Sequence, residues 1–209
     1  MIILNTKAHW ESVYETKSPD SVSWYAPHLL QSLHYVTKAA PNQDASIIDV
    51  GGGESTLVDD LLAAGYSNVT VNDLSSTGLE VAKQRLGIQA KEVTWTAADI
   101  LEMELPKEVF DVWHDRAVFH FLTTNAQRER YVAQVLHSLK LGGFAIVGTF
   151  GPDGPDKCSG LPVARYAPTE LHARFGEPFD LIESNVEVHT TPWGAPQQFV
   201  YCFCRRHAQ

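Results

Sequence analysis

Three carboxylates stand at or just after short apolar runs, where a carboxylate can read a ligand. Asp49 opens Asp49-Val50-Gly51-Gly52-Gly53-Glu54-Ser55, at the end of the apolar run 45–50. Asp73 closes Val69-Thr70-Val71-Asn72, and Asp99 follows Val93-Thr94-Trp95 within Ala97-Ala98-Asp99-Ile100. Glycine at 51 and 53 lets the backbone turn tightly and come close to a ligand. A carboxylate at the end of the second run can accept both hydroxyls of a ribose, so the pair points to a nucleoside. A dinucleotide fingerprint needs a third glycine for close helix packing. Here Gly51, Gly53 and Thr56 hold the three spaced positions. Glu54 stands close to where a pyrophosphate would sit at the helix start, and an anion there repels it. The pattern therefore favours a nucleoside without phosphates over NAD. An NAD(P)-linked oxidoreductase is the rival reading, and no Tyr-x-x-x-Lys follows the fourth apolar run to support it.

Candidates for proton transfer sit in His114-Asp115-Arg116-Ala117-Val118-Phe119-His120, after the fourth apolar run. His120 and Asp115 are the candidate general bases, and a histidine has a pKa suited to that work near neutrality. Local packing accounts for His120 equally well, and no catalytic residue is assigned. Residues 151–166 form a long Gly/Pro-bearing loop without a clear helix, and long loops in compact domains are often lids or binding loops. With His189 and Trp193 it is expected to form the acceptor pocket. Arg165 is expected to bind an acidic acceptor, or else to pair with a structural carboxylate.

The elements that must position these residues alternate. Helical spacing marks 27–39, a stretch from about 55 that Gly65 ends, 76–86 and 126–140, with Lys140 in the last turn and Gly142 just beyond. Short apolar runs at 45–50, 69–72, 93–95, 110–113 and 144–149 read as strands. Alternation of the two implies a parallel sheet covered on both faces. The end departs from this: 179–190 and 197–205 are strand-like with no helix between them, and are expected to pair as an antiparallel hairpin.

Composition bounds the function classes. The chain has 209 residues, 44% of them hydrophobic, enough for one compact domain. Its formal net charge is −9, and the basic cluster is Arg205-Arg206-His207, so nucleic-acid binding is not expected. Ile2-Ile3-Leu4 is too short an apolar run for a signal peptide, and no stretch is long enough for a membrane span. A soluble cytoplasmic protein is expected. Cys158, Cys202 and Cys204 show no zinc spacing and read as buried thiols, with no metal.

Asp-x-Gly-x-Gly-x-Ser at 49–55 resembles motif I of the class I S-adenosylmethionine (SAM)-dependent methyltransferases. Asp73-Leu74 resembles the family's ribose-binding acid, Asp99-Ile100 its adenine-holding pair, and Leu141-Gly142-Gly143-Phe144 its turn into strand five. The resemblance implies SAM as cofactor and S-adenosylhomocysteine as product. It also implies an α/β Rossmann-like three-layer sandwich, with a mostly parallel seven-stranded sheet of order 3-2-1-4-5-7-6 and an antiparallel last strand. His9-Trp10-Glu11-x-x-Tyr14 and Trp24 resemble the opening of a branch that includes lysine methyltransferases of elongation factor 1A. That resemblance implies that Trp10, Tyr14, Trp24, Gly51 and a residue at or beside Arg116 line the SAM site. A single domain over 1–209 follows: an N-terminal arm and helix capping the site (1–44), a SAM-binding core (45–150), and an acceptor loop with the C-terminal hairpin (151–209). The resemblance fades after residue 150, so the acceptor, a small molecule or a protein side chain, stays open. So do the oligomeric state and the alternative of a SAM-binding module without turnover.

Overall fold

The computed structural model describes residues 6–208, so the Ile2-Ile3-Leu4 run lies outside the described residues. The chain's first strand, β1 (Ile47–Val50), is buried at every position, including its one charged residue, Asp49. A strand covered by helices on both faces has no solvent side to alternate toward. After it come β2 (Val69–Asp73), β3 (Val93–Ala97), β4 (Phe110–Arg116) and β5 (Leu139–Phe150). A two-residue ribbon follows, β6 (Lys157–Cys158) with β7 (Leu161–Pro162), and then β8 (Phe179–Thr190) and β9 (Pro196–Arg206).

The main sheet has seven strands in the order β3-β2-β1-β4-β5-β9-β8. Without the ribbon this is the expected 3-2-1-4-5-7-6. Strands β1 to β5 pair in parallel, and β9 runs antiparallel between β5 and β8. The helices are α1 (Lys7–Thr16), α2 (Leu30–Ala39), α3 (Leu57–Ala63), α4 (Ser76–Leu86), α5 (Asn125–Ser138) and α6 (Pro168–Phe175). On one face of the sheet, Tyr35 and Val36 of α2, Leu57 and Leu61 of α3, and Leu79 of α4 join Ile47, Val71 and Phe203 in one apolar cluster. On the other, Tyr131 and Val135 of α5 and Leu171 and Phe175 of α6 pack against Ile48, Trp113 and Val200. Cys202 and Cys204, two apart on β9, share that second face and are buried free thiols, as their spacing requires.

Two expectations are corrected. Lys140 and Gly142 do not end α5. The helix stops at Ser138, and Lys140 lies in β5, where its Nζ meets Asp111 Oδ2 at 2.8 Å. Leu139 pairs with Phe110 and Phe144 with Val112, so residues 140–143 loop out as a bulge, with Gly142 at φ +75. Helix α6 also lies where the sequence reading placed no element. Its signals are local: Pro168 at the first helical position, Glu170 accepting from Ala167 N at 2.9 Å, and Gly176 past the end at φ +71.

The turn leaving β4 is held by a buried polar cluster. Asp115 accepts from Val118 N at 2.9 Å and Phe119 N at 3.0 Å, and from the hydroxyl of Tyr131, which itself accepts from Trp113 Nε1 at 2.9 Å. Burial raises the Asp115 carboxyl to about 6, against the lowering pull of these donors. Tyr131→Phe strands the Trp113 N–H at full burial and takes one of three donors from Asp115. It is expected to cost about 1–3 kcal/mol in urea unfolding; a midpoint equal to wild type would show that water replaces the hydroxyl.

Candidate active site

The chain leaves β1 toward β2 on one side and returns to β4 on the other. The loops after these neighbouring strands therefore diverge at their carboxyl ends and open a crevice. There the structure has an open cleft, about 870 Å³ of space including its mouth to solvent. Gly51 and Gly53 turn below it with φ of +70 and +42. A Cβ on Gly51 would come within 1.9 Å of Val118 Cγ2, and one on Gly53 within 2.4 Å of Tyr14 OH and 3.0 Å of Asp73 Oδ2. Backbone conformation and close approach both exclude a side chain at these two positions.

Asp73 ends β2 facing the cleft, buried, with Oδ1 accepting from Ser75 N at 2.7 Å. Burial pushes its carboxyl up to about 7, against hydrogen bonds from the Ser75 and Gly53 backbone and with some help from the charges of Asp49 and Glu11. Leu74, Asp99, Ile100, Arg116 and Gly51 line the same cleft. Asn72 beside Asp73 donates through Nδ2 to the Thr96 and Ala98 carbonyls at 3.2 and 3.0 Å, fixing the end of β3 that carries Asp99.

Above the cleft lie Trp10 and Tyr14 of α1, with Trp24. Trp10 packs edge-on against Phe121 and Trp24, with centroids 5.2 and 6.0 Å apart. One carboxylate clamps this arm. Glu11 accepts from Ser75 Oγ at 2.6 Å, Ser76 N at 2.9 Å, Ser76 Oγ at 2.8 Å and Thr77 N at 3.0 Å. These are the donors at the start of α4, where the helix dipole also favours an anion. Partial burial would raise the Glu11 carboxyl, but the hydrogen bonds outweigh it and hold the group well below the usual carboxylate range. Sequence reading quoted Glu11 without a role; its signal was an acid in the arm and Ser75-Ser76-Thr77 at a helix start.

A second cavity, about 490 Å³, lies beside the first and shares Tyr14, Trp24, Gly51 and Arg116 with it. Asp49 lines this one, whereas Gly53 lines neither. Asp49 Oδ1 accepts from His114 Nδ1 at 2.7 Å, and His114 Nε2 meets Ser32 Oγ at 2.8 Å. Ser32 reaches Tyr201 OH at 3.3 Å, which accepts from Arg116 Nε at 2.9 Å. The Arg116 guanidinium also lies over the Phe199 ring, 4.1 Å from its centroid.

The remaining candidates lie elsewhere. His120 and Asp115 are fully buried and line neither cavity. Burial, helped by Arg116, lowers His120 to about 3, and its Nδ1 accepts from Phe150 N at 3.4 Å; it is a packed neutral ring. Arg165 donates to the Pro152 and Gly154 carbonyls, both at 3.0 Å, and so braces its own loop. Of residues 151–166 only Cys158 lines the cleft, and Trp193 is 62% exposed at the hairpin tip. The expected acceptor pocket is therefore not assembled from Arg165 and Trp193. His189 instead bonds the Ser23 carbonyl at 2.8 Å and holds the arm.

Residues 47–143 match the family described as a methyltransferase domain. The chain is 22% identical over 194 residues to human EEF1A lysine methyltransferase 2, covering 86% of this chain and 76% of that one. Its fold is similar to that in a structure concerned with conversion of a disulfide bond into a thioacetal group during echinomycin biosynthesis. There the TM-score is 0.78 at 19% identity, covering 98% of this chain and 94% of the other. It is similar as well to N-methyltransferase NodS from Bradyrhizobium japonicum in complex with S-adenosylhomocysteine, with TM-score 0.64, 16% identity, and 85% and 86% of the chains covered. The sheet order, the glycine turn at the switch point and these matches define a Rossmann-like methyltransferase. The chain is a SAM-dependent methyltransferase with a methyltransferase domain over residues 47–143, and its sequence is similar to that of the EEF1A lysine methyltransferases.

If Glu11 holds the arm, Glu11→Ala should raise amide exchange within α1 by roughly tenfold, the equivalent of about 1.4 kcal/mol of local opening. Amides of α5 should be unchanged. Equal protection of α1 in both proteins would show that apolar contacts alone seat it.

Proposed function

We propose that this methyltransferase holds the adenosine of SAM in the larger cleft and methylates a protein side chain. The observation that carries the site reading is Asp73, a buried carboxylate at the carboxyl end of β2 beside a glycine turn that has no room for side chains. The residues fit a nucleoside thioether. Asp73 takes the ribose hydroxyls; Leu74, Asp99 and Ile100 border the adenine; Gly51 and Gly53 pass beneath. Trp10, Tyr14 and Trp24 cover the site, and their ring faces suit a sulfonium. Arg116 closes the side toward the second cavity. SAM supplies a methyl group already activated on sulfur. The chain's task is to bind, to align an incoming nucleophile and to exclude water. The protein acceptor is supported by likeness to an enzyme named for methylating lysine of EEF1A. A cytoplasmic setting accords with three free, buried cysteines.

The acceptor is tested by incubating the protein with methyl-tritiated SAM and a cell extract. Label in acid-precipitable protein is expected; label confined to small molecules would overturn a protein acceptor. The site is tested by pH. A carboxylate that receives two hydroxyls must be ionised, and Asp73 in the free protein stays partly protonated up to about 7. Binding therefore releases a proton below that pH, and affinity for S-adenosylhomocysteine should rise between about pH 6 and 8, by up to about tenfold per pH unit for one group. Asp73→Asn should bind at least about tenfold more weakly and show a shallower slope. A variant with unchanged affinity and slope would remove Asp73 from the site.

A further inference from the structure

The two edges of the seven-stranded sheet are unlike. At one end stands β3, five residues long. At the other stands β8, twelve residues long, paired with β9 on its inner side and with no strand on its outer side among the described residues. From Glu183 to Thr190 its register against β9 runs without a break, because the irregularity lies between Leu181 and Glu183. An open strand edge offers a row of backbone N–H and C=O groups to another chain, and natural edges are usually kept short, bulged or charged to prevent this. Between 183 and 190 β8 is neither short nor bulged.

Its two faces are used differently. Toward α2 and the arm, Glu183 accepts from Tyr35 OH at 3.2 Å and pairs with Lys38. On the same face Asn185 Nδ2 donates to Gln31 Oε1, and His189 Nε2 bonds the Ser23 carbonyl, both at 2.8 Å. The opposite face, which β8 shares with Val200 and Cys202 of β9, carries Ser184, Val186, Val188 and Thr190. All four are exposed, Val186 by 50% and Val188 by 66%, and none is charged. Ile182 at the irregularity and Trp193 at the hairpin tip are 49% and 62% exposed. Of the seven large apolar side chains left exposed among the described residues, four therefore lie on this strand and its tip. Apolar residues gathered in this way mark an interaction surface, whereas scattered ones do not.

We propose that β8 pairs antiparallel with β8 of a second copy of this chain, about a twofold axis at Val186, and so joins two sheets into one. A twofold axis through an antiparallel pair sets each residue opposite one on the same face of the sheet. Charge then selects the register. Centring on Asn185 sets Glu183 opposite the partner's Glu187, and centring on Glu187 sets that carboxylate opposite itself. Like charges directly opposite destabilise a strand pair. Centring on Val186 avoids both. It sets Val186 against its own copy, Ser184 against the partner's Val188, and Asn185, an amide donor, against the partner's Glu187. Glu183 then stands opposite the partner's His189, and Thr190 opposite the partner's Ile182, which brings Trp193 to the start of the partner's strand. The strand is thus complementary to itself, which favours a second copy over a different chain. No residue of β8 lines either cavity, so the pairing is independent of what the cleft binds. It braces the strand whose His189 holds the arm through Ser23.

The test is sedimentation velocity of the whole protein over a range of micromolar concentrations. A species of twice the 23.2 kDa chain mass is expected to grow in with concentration. Val186→Lys sets two ammonium groups face to face at the axis, on a side chain that is already half exposed. It should weaken dimerisation roughly tenfold and leave the melting temperature in dilute solution unchanged. Cysteine cross-linking reads the register. Copies of Val186→Cys meet across the axis within reach of a disulfide, and the native cysteines are all buried. Mild oxidation should therefore give a covalent dimer. Ser184→Cys should not, because its two copies stand on the order of 13 Å apart along the paired strands. A wild-type protein that keeps the single-chain mass throughout would overturn the pairing and leave this edge to a different protein. A dimer unaffected by Val186→Lys, or one cross-linked through Ser184→Cys and not through Val186→Cys, would overturn Val186 as the axis.

Discussion

Asp49 and His114 are register partners on the two strands that part at the switch point, and their side chains meet at 2.7 Å under the crevice. The rest of the site depends on this contact. The relay from His114 through Ser32 and Tyr201 to Arg116 ties β1, β4, α2 and β9 into one buried polar chain. Arg116, rigid through the Tyr201 bond and the Phe199 ring, then presents one remaining N–H pair to the second cavity. A ligand-facing arginine on a flexible stem loses rotamer freedom on binding; here that entropy is already lost in the fold. Such a buried pair is no argument for net stability, because taking its polar groups out of water costs about as much as pairing them returns. What the pair fixes is geometry.

The crevice concentrates carboxylates. Asp73 and Glu54 are both held near 7 by burial, and both therefore bind protons in the folded chain that the unfolded chain has shed. The sign is definite. Groups whose folded pKa is raised contribute stability fully below their unfolded value, about 4, and lose it as pH rises toward about 7. Glu11 behaves oppositely. Its donors hold it ionised, so its contribution is present above the unfolded value and lost only in acid. One carboxylate therefore clamps the arm across the working range of pH, while the two beside the ligand space remain responsive.

The core strands were legible because each is a short apolar run bounded by glycine or acid, and α4 was read to its exact ends because Ser75 caps it and Gly87 stops it. The acids at 49, 73 and 99 stand at or just past strand ends, as their places in the sequence indicate, and line the two cavities. What failed, failed for physical reasons. Helix α6 is eight residues with two buried apolar positions, Leu171 and Phe175, too few for a periodic pattern. Leu139 fits a helical stripe as well as a strand, and only its pairing with Phe110 decides between them. Arg165 bonds backbone carbonyls of its own loop and His189 one from the distant N-terminal arm, uses that side-chain type does not reveal. Glu54 was read as a repellent of phosphate. That its oxygens lack any partner is a property of packing.

The two residues that sequence chemistry nominated as bases are spent on structure, and this is consistent with the demands of the reaction. Asp115 satisfies the amides that turn the chain out of β4, which sets where Val118 meets Gly51. His120 is packed between Phe121 and Phe150, with centroids at 4.5 and 4.7 Å, and is kept neutral. A sulfonium gives up its methyl and departs as a neutral thioether, which needs no general acid, and a nucleophile that arrives with a lone pair needs no base beside it. Selection on such a site acts on alignment and dryness. A network of buried hydrogen bonds lies beneath the cleft and an aromatic arm is clamped above it.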